Sequence, residues 1–437
     1  MNIKLGYGTG FQSADVPEKN ILKILEPNAI QRPDNADSDG DSMPAGDSFT
    51  DSRASFGSPA GLVAKALACP IGTPPLGEIV HPGEKIAIIT SDITRPMPTW
   101  RVLPTVLDEL YSAGIPPEDI TLVFALGSHR PHTEEEKIKL AGSRAYGEIS
   151  CVDSNPLDCI HMGTTSRGTP IDITRAVAEA DRRICLGNIE YHYFAGYSGG
   201  IKALMPGAST PAAIQANHSM MIDENACAGK LDGNPLREDL EEAACLCPID
   251  FIVNVVLDEH KEIVYAVAGD VVKAHRRGCE FLDSLYKVKI PHRADIVIVS
   301  QGGAPKDLNL YQTQKALDNS RHAVKDGGTI ILVGACNEGL GQRVFEEWIT
   351  QAEQPEELIA RVKNDFKLGG HKAAAIAMVL KRSSIKLVSE MDSDFVKSIF
   401  MEPYSDLQSA VDDALAQHGE GAEIIVMPYG GSTLPVE

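Results

Sequence analysis

Three clusters of polar side chains follow three short apolar runs in the first half of the chain. The clusters are residues 91–96 (SDITRP), residues 127–131 (GSHRP) and residues 190–202 (EYHYFAGYSGGIK). They contain His129 and His192, and histidine is the side chain best suited to exchanging protons near neutral pH. One such cluster could be accidental, whereas three of them indicate a single site for proton exchange.

The third cluster also offers groups that could hold an anion. The glycines of Ser198-Gly199-Gly200 would let backbone N–H groups approach a phosphate, because glycine has no Cβ to obstruct it. The run matches neither the Gly-x-Gly-x-x-Gly dinucleotide fingerprint nor the Gly-Lys-Ser/Thr ending of a P-loop. Taken alone, it predicts a tight turn as well as a phosphate contact. Lys202 just beyond it could be a phosphate counter-ion or a nucleophile.

Each of these residues also has a structural interpretation. Asp92 or Thr94 could cap a following helix, and Asp92 could form a local ion pair with Arg95. His129 and His192 are two of twelve histidines in the chain. Their position directly after a predicted strand, and not their residue type, favours a functional role.

Short runs rich in Val, Ile and Leu alternate with longer helical patterns, as in parallel sheets with crossover helices. We predict strands at residues 85–90, 120–125, 183–188 and 250–256, and a helix at residues 100–113. Further strands are predicted at 295–300, 329–334, 385–389 and 423–427, with helices at 313–323 and 355–364. Ligands of such sheets bind at the carboxyl ends of the strands, where the three clusters fall.

The fold class predicted is α/β, with two domains whose mainly parallel sheets are flanked by helices and whose site lies in the cleft between them. Residues 287–293 contain a proline and are expected to join a domain of residues 1–286 to one of residues 287–437. Residues 31–59 are rich in Asp, Ser, Gly and Pro, which predicts a surface insertion in the first domain.

Composition excludes several classes of protein. The 437 residues carry a formal net charge of −21, which argues against nucleic acid as a partner, because binding phosphate backbones requires clustered lysine and arginine. No apolar run reaches the ~18 residues of a membrane-spanning helix, so no membrane association is expected. The sequence also shows no export signal, and we expect a cytoplasmic protein whose nine cysteines are thiols.

The three clusters, followed by Asn217-His218, resemble the nickel-dependent lactate racemase family. Residues 305–307 (PKD) and 311–315 (YQTQK) resemble further segments of that family, whereas residues 31–59 lie outside its pattern. The resemblance implies racemisation or epimerisation of a small 2-hydroxy acid, lactate or a related one. It also implies reversible transfer of hydride from the substrate Cα to a nickel pincer nucleotide.

The cofactor of this family is a pyridinium mononucleotide with two sulfur-bearing arms, joined covalently to a lysine that matches Lys202. Its nickel is bound by two sulfurs, a ring carbon and a histidine that matches His218, and such soft ligands suit square-planar nickel. The resemblance adds as cofactor contacts Asp92, Ser198, Gly199 and Gly200. Biosynthetic enzymes supply the cofactor, so a protein made without these partners would not contain it.

By the same resemblance, His129 and His192 are the acid–base pair. The residues that match substrate contacts are Arg95, Tyr311, Gln312 and Lys315. A histidine with a pKa of about 6.5 is too weak a base to remove a proton from carbon beside a carboxylate, so a hydride acceptor is needed. The first domain would bind the cofactor and carry the catalysis, and the second would close over the site.

Two positions depart from the family pattern near the expected cofactor. Tyr191 stands where proline precedes the histidine, and Ile201 stands where a basic residue often precedes the lysine, which leaves the identity of the acid open.

One alternative function is that of a nicotinamide-type 2-hydroxy-acid dehydrogenase, disfavoured because the glycine fingerprint is absent from the sequence. Another is a non-catalytic relative that binds a small acid or a metal, disfavoured because every matching site residue is present. The sequence leaves open whether the chain forms a homo-oligomer.

Overall fold

The computed structural model describes residues 1–28, 58–258 and 260–437, so the insertion expected at residues 31–59 lies outside the described residues except for its last two. The strands are β1 Asn2–Tyr7, β2 Gly10–Asp15, β3 Ile21–Ile24, β4 Ile86–Ser91, β5 Ile120–Ala125, β6 Ser150–Asp153, β7 Cys159–Thr164, β8 Pro170–Thr174, β9 Arg182–Ile189, β10 Tyr191–His192, β11 Gly196–Tyr197, β12 Phe251–Leu257, β13 Ile263–Gly269, β14 Lys287–Lys289, β15 Ala294–Ser300, β16 Val324–Val333, β17 Ser384–Val388, β18 Glu402–Tyr404, β19 Ile424–Met427 and β20 Leu434–Val436. The helices are α1 Pro59–Ala68, α2 Leu76–Ile79, α3 Thr99–Ser112, α4 Glu134–Ala141, α5 Ser143–Glu148, α6 Arg175–Ala178, α7 Pro211–His218, α8 Pro235–Leu246, α9 Lys273–Tyr286, α10 Leu310–Ser320, α11 Arg343–Gln351, α12 Pro355–Asn364, α13 Gly370–Leu380, α14 Ser393–Ser398 and α15 Leu407–His418. None of the helices in this described part of the chain is long and apolar enough to cross a membrane.

The first sheet has six strands in the order β13-β12-β9-β4-β5-β6. All neighbours are parallel except β13, which pairs antiparallel with β12. Every residue of β12 is buried, and a strand covered on both faces requires apolar side chains almost throughout. Helix α3 covers one face of the sheet through Val102, Leu103 and Val106, and α9 covers the other through Leu282 and Leu285.

The second sheet has six parallel strands in the order β18-β17-β16-β15-β19-β3. Its edge strand β3 comes from the N-terminal part of the chain and pairs with β19. The hairpin of β1 and β2 packs on the same sheet, since Ile3 and Leu5 share an apolar cluster with Val426. Residues 1–25 thus pack with the second sheet, although the predicted division at 286/287 places them in the first domain. That division itself stays a prediction.

The prediction of an α/β fold with mainly parallel sheets flanked by helices is confirmed. Most predicted elements lie within a few residues of the observed ones, and the strand at 120–125 matches without a shift. The helix predicted at 313–323 instead begins at Leu310. The reason is a cap, because the Asn309 side chain accepts the backbone N–H of Gln312 over 3.1 Å and so satisfies the first turn.

The two sheets are joined by a shared apolar cluster. Phe194 and Leu236 from the first half of the chain pack in it with Leu310 and Trp348 from the second half. The connection between the sheets, expected at residues 287–293, contains β14, which pairs with β20 near the end of the chain. The loops after β9 are therefore held by the helices of the second sheet as well as by their own strands.

Candidate active site

The three polar clusters follow β4, β5 and β9, which are neighbours in the first sheet. Their carboxyl ends lie at one edge of the sheet because the three strands are parallel. Asp92 and His129, from the first two loops, are in direct contact, with His129 Nδ1 2.8 Å from Asp92 Oδ2. The fold thus brings together two residues that are separated by a whole strand and helix in the sequence.

The buried Asp92 carboxylate orients the His129 ring. Burial acts to raise the pKa of Asp92, but the hydrogen bonds from His129 and Thr94 and the charge of Arg95 hold that pKa below its usual value. A carboxylate only accepts hydrogen bonds, so Nδ1 of His129 carries a proton and Nε2 of the neutral ring has a free lone pair. His129 can therefore accept a proton through Nε2, while Asp92 stabilises the resulting cation.

Another histidine, not selected from the sequence, fixes the loop that carries Asp92. His132 Nδ1 lies 2.6 Å from Asp153 Oδ1, and His132 Nε2 accepts the backbone N–H of Ile93 over 3.0 Å. These two bonds tie the loop after β4 to the last residue of β6. The position of His132 three residues after His129 is the signal that could have revealed it.

His192 lies on a short hairpin formed by β10 and β11, in which it pairs with Gly196. The buried Arg237 on α8 donates to the carbonyl oxygens of Ala195 and Tyr197 and so fixes the shape of this hairpin. His192 Nδ1 accepts the backbone N–H of Ala195 over 3.3 Å, so in the neutral ring the proton is on Nε2. In this tautomer Nε2 donates a hydrogen bond, and it could accept a proton only if the ring proton moved to Nδ1.

Ser198-Gly199-Gly200 forms a tight turn against β12. The Ser198 hydroxyl donates to the Asn188 carbonyl oxygen over 2.7 Å, and the Gly200 N–H donates to Asn254 Oδ1 over 2.7 Å. Gly199 has a φ of +75°, and a Cβ at this position would lie 2.7 Å from Asn254 Oδ1. The absence of a Cβ at these glycines thus lets the backbone lie close to Asn254. The role of Ser198, Gly199 and Gly200 as cofactor contacts stays a prediction.

Lys202 follows on a 3₁₀ turn, Gly200–Ala203, with its side chain half-buried. Burial, and then the positive charges of Arg95 and Arg237, hold the pKa of its ammonium group well below the usual value. Such a lysine has a larger fraction of neutral amine, which is the nucleophilic form. The environment of Lys202 therefore favours a nucleophile over a counter-ion for phosphate.

His218 is the last residue of α7 and lies near the same positive charges. Burial, followed by the charges of Lys202 and His371, holds its pKa well below the usual value. The pKa of His192 is lowered as strongly, by burial first and then by Lys202 and Arg95. Both imidazoles are therefore neutral near pH 7, which is the form that can bind a metal ion or accept a proton.

Helices α10 and α13 of the second sheet face these loops. Lys372 on α13 donates to the Tyr311 carbonyl oxygen, and its ammonium group lies 4.0 Å from the centre of the Tyr311 ring. Burial, followed by the charge of Lys315, holds the pKa of Lys372 well below its usual value, and Arg95 acts in the same direction. The Gln312 and Lys315 side chains are exposed. The charge of Arg95 therefore lowers the pKa of Lys202, in a loop of the first sheet, and of Lys372, on a helix of the second sheet.

A row of rings joins the two halves of the chain beside His218. His371 stacks on Tyr193 and on Phe366, with ring centroids 6.0 Å and 5.3 Å apart. His218 meets Phe366 edge-on at 5.1 Å and Phe194 at 4.9 Å. The His218 ring is therefore confined by one aromatic side chain from each half.

Comparison with known proteins identifies the family. A family model described as the lactate racemase N-terminal domain matches residues 51–229, and one described as the lactate racemase C-terminal domain matches residues 289–434. The chain belongs to the lactate racemase family. It is 32% identical to the lactate racemase of Thermoanaerobacterium thermosaccharolyticum over 443 residues, which covers 99% of each chain. It is 34% identical over 378 residues to the lactate racemase of Lactiplantibacillus plantarum, covering 84% of this chain and 89% of that one.

Solved structures agree with this assignment to the lactate racemase family. The lactate racemase apoprotein of Thermoanaerobacterium thermosaccharolyticum matches with a TM-score of 0.85 and 32% identity, covering 100% of both chains. A crystal structure of a protein from Thermotoga maritima matches with a TM-score of 0.58 and 19% identity over 86% of this chain and 97% of that one, which supports the fold alone. The family inferred from the three clusters is confirmed, and the named relatives are isomerases, as the sequence predicts.

Arg95 links the residues that the lactate racemase resemblance selected. Its charge affects the pKa of His192, Lys202, His218 and Tyr311. The surrounding residues that sequence analysis did not select are His132, Tyr193, Arg237, His371 and Lys372. His371 and Lys372 follow a pair of glycines, and this run of glycines before two basic residues is a signal that could have revealed them.

Buried histidines should make this lactate racemase relative sensitive to acid. Burial lowers the pKa of His275 and of His371 to about 3, so neither takes up a proton in the folded protein above that pH. In the unfolded chain both bind protons below about pH 6.5. The free energy of unfolding should therefore fall by ~1.4 kcal/mol per pH unit for each histidine between roughly pH 6 and 3. Denaturant unfolding measured from about pH 7 down to about pH 5 tests this.

A matched pair of variants separates this effect from general acid sensitivity. His275 Nε2 donates to the Ser198 carbonyl oxygen over 2.8 Å, and glutamine could keep that bond without titrating. His275→Gln should therefore lower the slope of the free energy of unfolding against pH by the contribution of about one proton. His81→Gln, at an exposed position, should leave that slope unchanged. Equal slopes in all three proteins would contradict the assignment.

Proposed function

We propose that the protein racemises or epimerises a 2-hydroxy acid, lactate or a related one. The observation that carries the proposal is the position of Arg95, an exposed guanidinium whose charge lowers the pKa of His192, Lys202 and His218. A guanidinium binds a carboxylate through two parallel hydrogen bonds. A 2-hydroxy acid held by Arg95 would therefore lie beside the histidines and the lysine that its chemistry requires.

The residues fit the nickel pincer nucleotide that the family resemblance implies. Lys202 would form the covalent bond, and the lowered pKa of its amine suits that role. His218 would be the protein ligand of nickel, since its imidazole is neutral. The described residues contain no group of three or more His, Cys, Asp or Glu side chains arranged for a metal ion, and the resemblance assigns the other nickel ligands to the cofactor. When bound, this group supplies an acceptor for hydride from the substrate Cα.

Buried polar atoms between the two halves also support a polar ligand. Tyr193 Oη from the first half, and the side-chain polar atoms of Gln314 and Asp318 on α10, have no hydrogen-bond partner within the described part of the chain. Buried polar atoms in folded proteins are nearly always bonded to protein, ordered water or a ligand. A substrate or nucleotide with its bound waters in this region would supply the partners.

The two histidines would exchange the hydroxyl proton on opposite sides of the substrate. His129, whose Nε2 is free, would take the proton from one enantiomer, and Asp92 would stabilise the imidazolium. His192 would serve the other enantiomer in the same way, with its ring proton moved to Nδ1 in place of the long 3.3 Å bond from the Ala195 N–H, so that Nε2 has the free lone pair. Product formation would need a proton from the histidine on that side in its imidazolium form, so the pair would carry one extra proton before and after turnover. The reverse reaction would use the same two groups with their roles exchanged.

The second half of the chain would complete the substrate site. Lys315 would join Arg95 at the substrate carboxylate, and Tyr311 and Gln312 would line the site. The exposed Gln312 and Lys315 side chains are free to meet an arriving acid. Residues 287–437 would then close over the site, which would protect the 2-keto acid from water and from escape.

The test begins with the intact mass and nickel content of protein produced together with the cofactor-biosynthesis enzymes. We expect a nucleotide-sized mass increase on Lys202 and about one nickel per chain. A chiral assay should then show that either enantiomer of lactate, or of a related 2-hydroxy acid, is converted to the racemic mixture. Protein made without those enzymes is the control and should be unmodified and inactive.

Three results would overturn the proposal. One is an unmodified, nickel-free chain obtained beside a lactate racemase that is loaded normally in the same host. Another is saturable binding of a free nicotinamide dinucleotide with net oxidation of the acid, which would establish the dehydrogenase alternative. Nickel bound without an adduct on Lys202 and without turnover would establish the binding-protein alternative.

A further inference from the structure

A buried chain of hydrogen bonds lies behind His218. Thr165 Oγ1 donates to Asp239 Oδ1 over 2.5 Å, and Thr169 Oγ1 donates to Asp239 Oδ2 over 2.7 Å. Asn217 Nδ2 also donates to Asp239 Oδ2, over 2.8 Å, and Asn217 Oδ1 lies 3.1 Å from His218 Nδ1. Asp239 is 1% exposed and Asn217 is fully buried, so water does not compete for these bonds.

The acceptors in this chain determine which way the Asn217 amide faces. Asp239 is a carboxylate that already accepts two hydroxyl groups, and it can take only a donor from Asn217. The Leu236 carbonyl oxygen accepts from the same Asn217 Nδ2, over 3.3 Å. The amide NH₂ must therefore face Asp239 and Leu236, and the amide oxygen must face His218.

The orientation of Asn217 in turn determines which nitrogen of His218 carries the proton. An amide oxygen only accepts, so the hydrogen bond to it requires the proton on His218 Nδ1. The neutral ring has one ring proton, and Nε2 is then left with its lone pair. Metal-bound histidines are held in the same way, with the second nitrogen donating to a protein acceptor that fixes ring orientation and tautomer.

We propose that Asp239 is a positioning residue that acts through Asn217 to hold His218 as the Nδ1–H tautomer, with Nε2 presented to the nickel ion. The inference rests on the proposed function, because it takes His218 as the nickel ligand. The two threonine hydroxyls hold the carboxylate in place, and the rings of Phe194 and Phe366 hold the imidazole. Asp239 itself contacts neither metal nor substrate.

Asp239→Leu tests this chain by removing the carboxylate while keeping a side chain of similar size. The Asn217 NH₂ group then keeps only the 3.3 Å bond to the Leu236 carbonyl oxygen, so the amide is held less firmly. The Nδ1–H tautomer of His218 is then no longer enforced, and part of the protein presents a protonated Nε2 that cannot bind nickel. We expect nickel retention against a chelator to fall by ~10–100-fold, while the nucleotide mass on Lys202 is retained.

The tautomer can be measured directly in protein that carries no cofactor. Long-range ¹H–¹⁵N correlation spectra of histidine-labelled protein show which ring nitrogen is protonated, and His218→Gln identifies the His218 signals. We expect Nδ1–H in the wild-type protein and a mixture of Nδ1–H and Nε2–H after Asp239→Leu. A proton on Nε2 of His218 in the wild-type protein would overturn the inference. That result does not depend on whether any variant folds.

Glu242→Gln is the matched control on the same helix. Glu242 accepts the backbone N–H and the hydroxyl of Ser166, at 2.6 Å and 2.7 Å, and so holds the same turn between β7 and β8 as Asp239 does. This variant should keep the wild-type tautomer and the wild-type nickel retention. Wild-type retention and tautomer after Asp239→Leu, in protein that binds nickel, would refute the role of Asp239. Wild-type protein that never binds nickel would refute the proposed function instead, with the tautomer of His218 still measurable.

Discussion

Lys202→Ala is expected to abolish both the covalent adduct and the racemase activity. The lysine side chain is half-buried, and burial and the charges of Arg95 and Arg237 lower its pKa, which favours the neutral, nucleophilic amine. Because the proposed cofactor would supply the hydride chemistry, its loss should remove most of the rate acceleration, at least ~10⁶-fold for a typical enzyme. Peptide mapping of the adduct and a chiral assay of the acid measure the two effects.

Two further variants separate attachment from charge. Lys202→Arg keeps a positive charge and a long side chain but has no amine to form the bond, so it should also remain unmodified. Lys139→Ala removes an exposed lysine and should be modified and active like the wild-type protein. Normal racemisation by Lys202→Ala would show that the reaction does not depend on a cofactor held at this residue.

His129→Asn and His192→Asn should each lower kcat/KM by ~10²–10⁴-fold, which is the usual contribution of a general acid or base. Enantiomers have equal free energies, so the equilibrium constant is unity and kcat/KM must fall equally in both directions. The different roles of the two histidines should instead appear in a single turnover, as a difference in which enantiomer is oxidised. Each variant should still form 2-keto acid from the enantiomer whose hydroxyl faces the remaining histidine, and the two variants should favour opposite enantiomers.

Chemical quench of loaded enzyme mixed with one pure enantiomer measures this 2-keto acid. His81→Asn, at an exposed position after α2, is the control and should behave as wild type with both enantiomers. The two-base assignment fails if either variant racemises at the wild-type rate. It fails equally if both variants oxidise the same enantiomer, because the histidines would then act on one side of the substrate.

Some contacts of the site follow from the sequence because parallel strands bring their carboxyl ends together. Asp92 and His129 are an example, since each follows an apolar run directly and the two runs are neighbouring strands. The contact of His218 with Phe366 could not be predicted in this way. It depends on how helices of the second sheet pack on loops of the first, and no local pattern of residues encodes that packing.

Local patterns could not determine the protein partners of Ser198 and Gly200, whose run favoured a tight turn and a phosphate contact equally. The hydroxyl of Ser198 bonds Asn188 and the N–H of Gly200 bonds Asn254. Asn254 lies on β12, more than fifty residues later in the chain, so its approach is a tertiary contact. The four residues of β3 were missed for a similar reason, because a strand that short is defined by its partner β19.

The pairing of β3 with β19 has a consequence for synthesis on the ribosome. The two strands are separated by roughly 400 residues, which take about 20–80 s to translate at usual rates. The first sheet needs no strand beyond Gly269 and can form during that time. Ile3, Leu5 and Val16 belong to the core of the second sheet. Their apolar side chains therefore remain unburied until that sheet forms. Newly made chains should therefore depend on chaperones mainly through residues 1–25, which are translated long before the strands on which they pack.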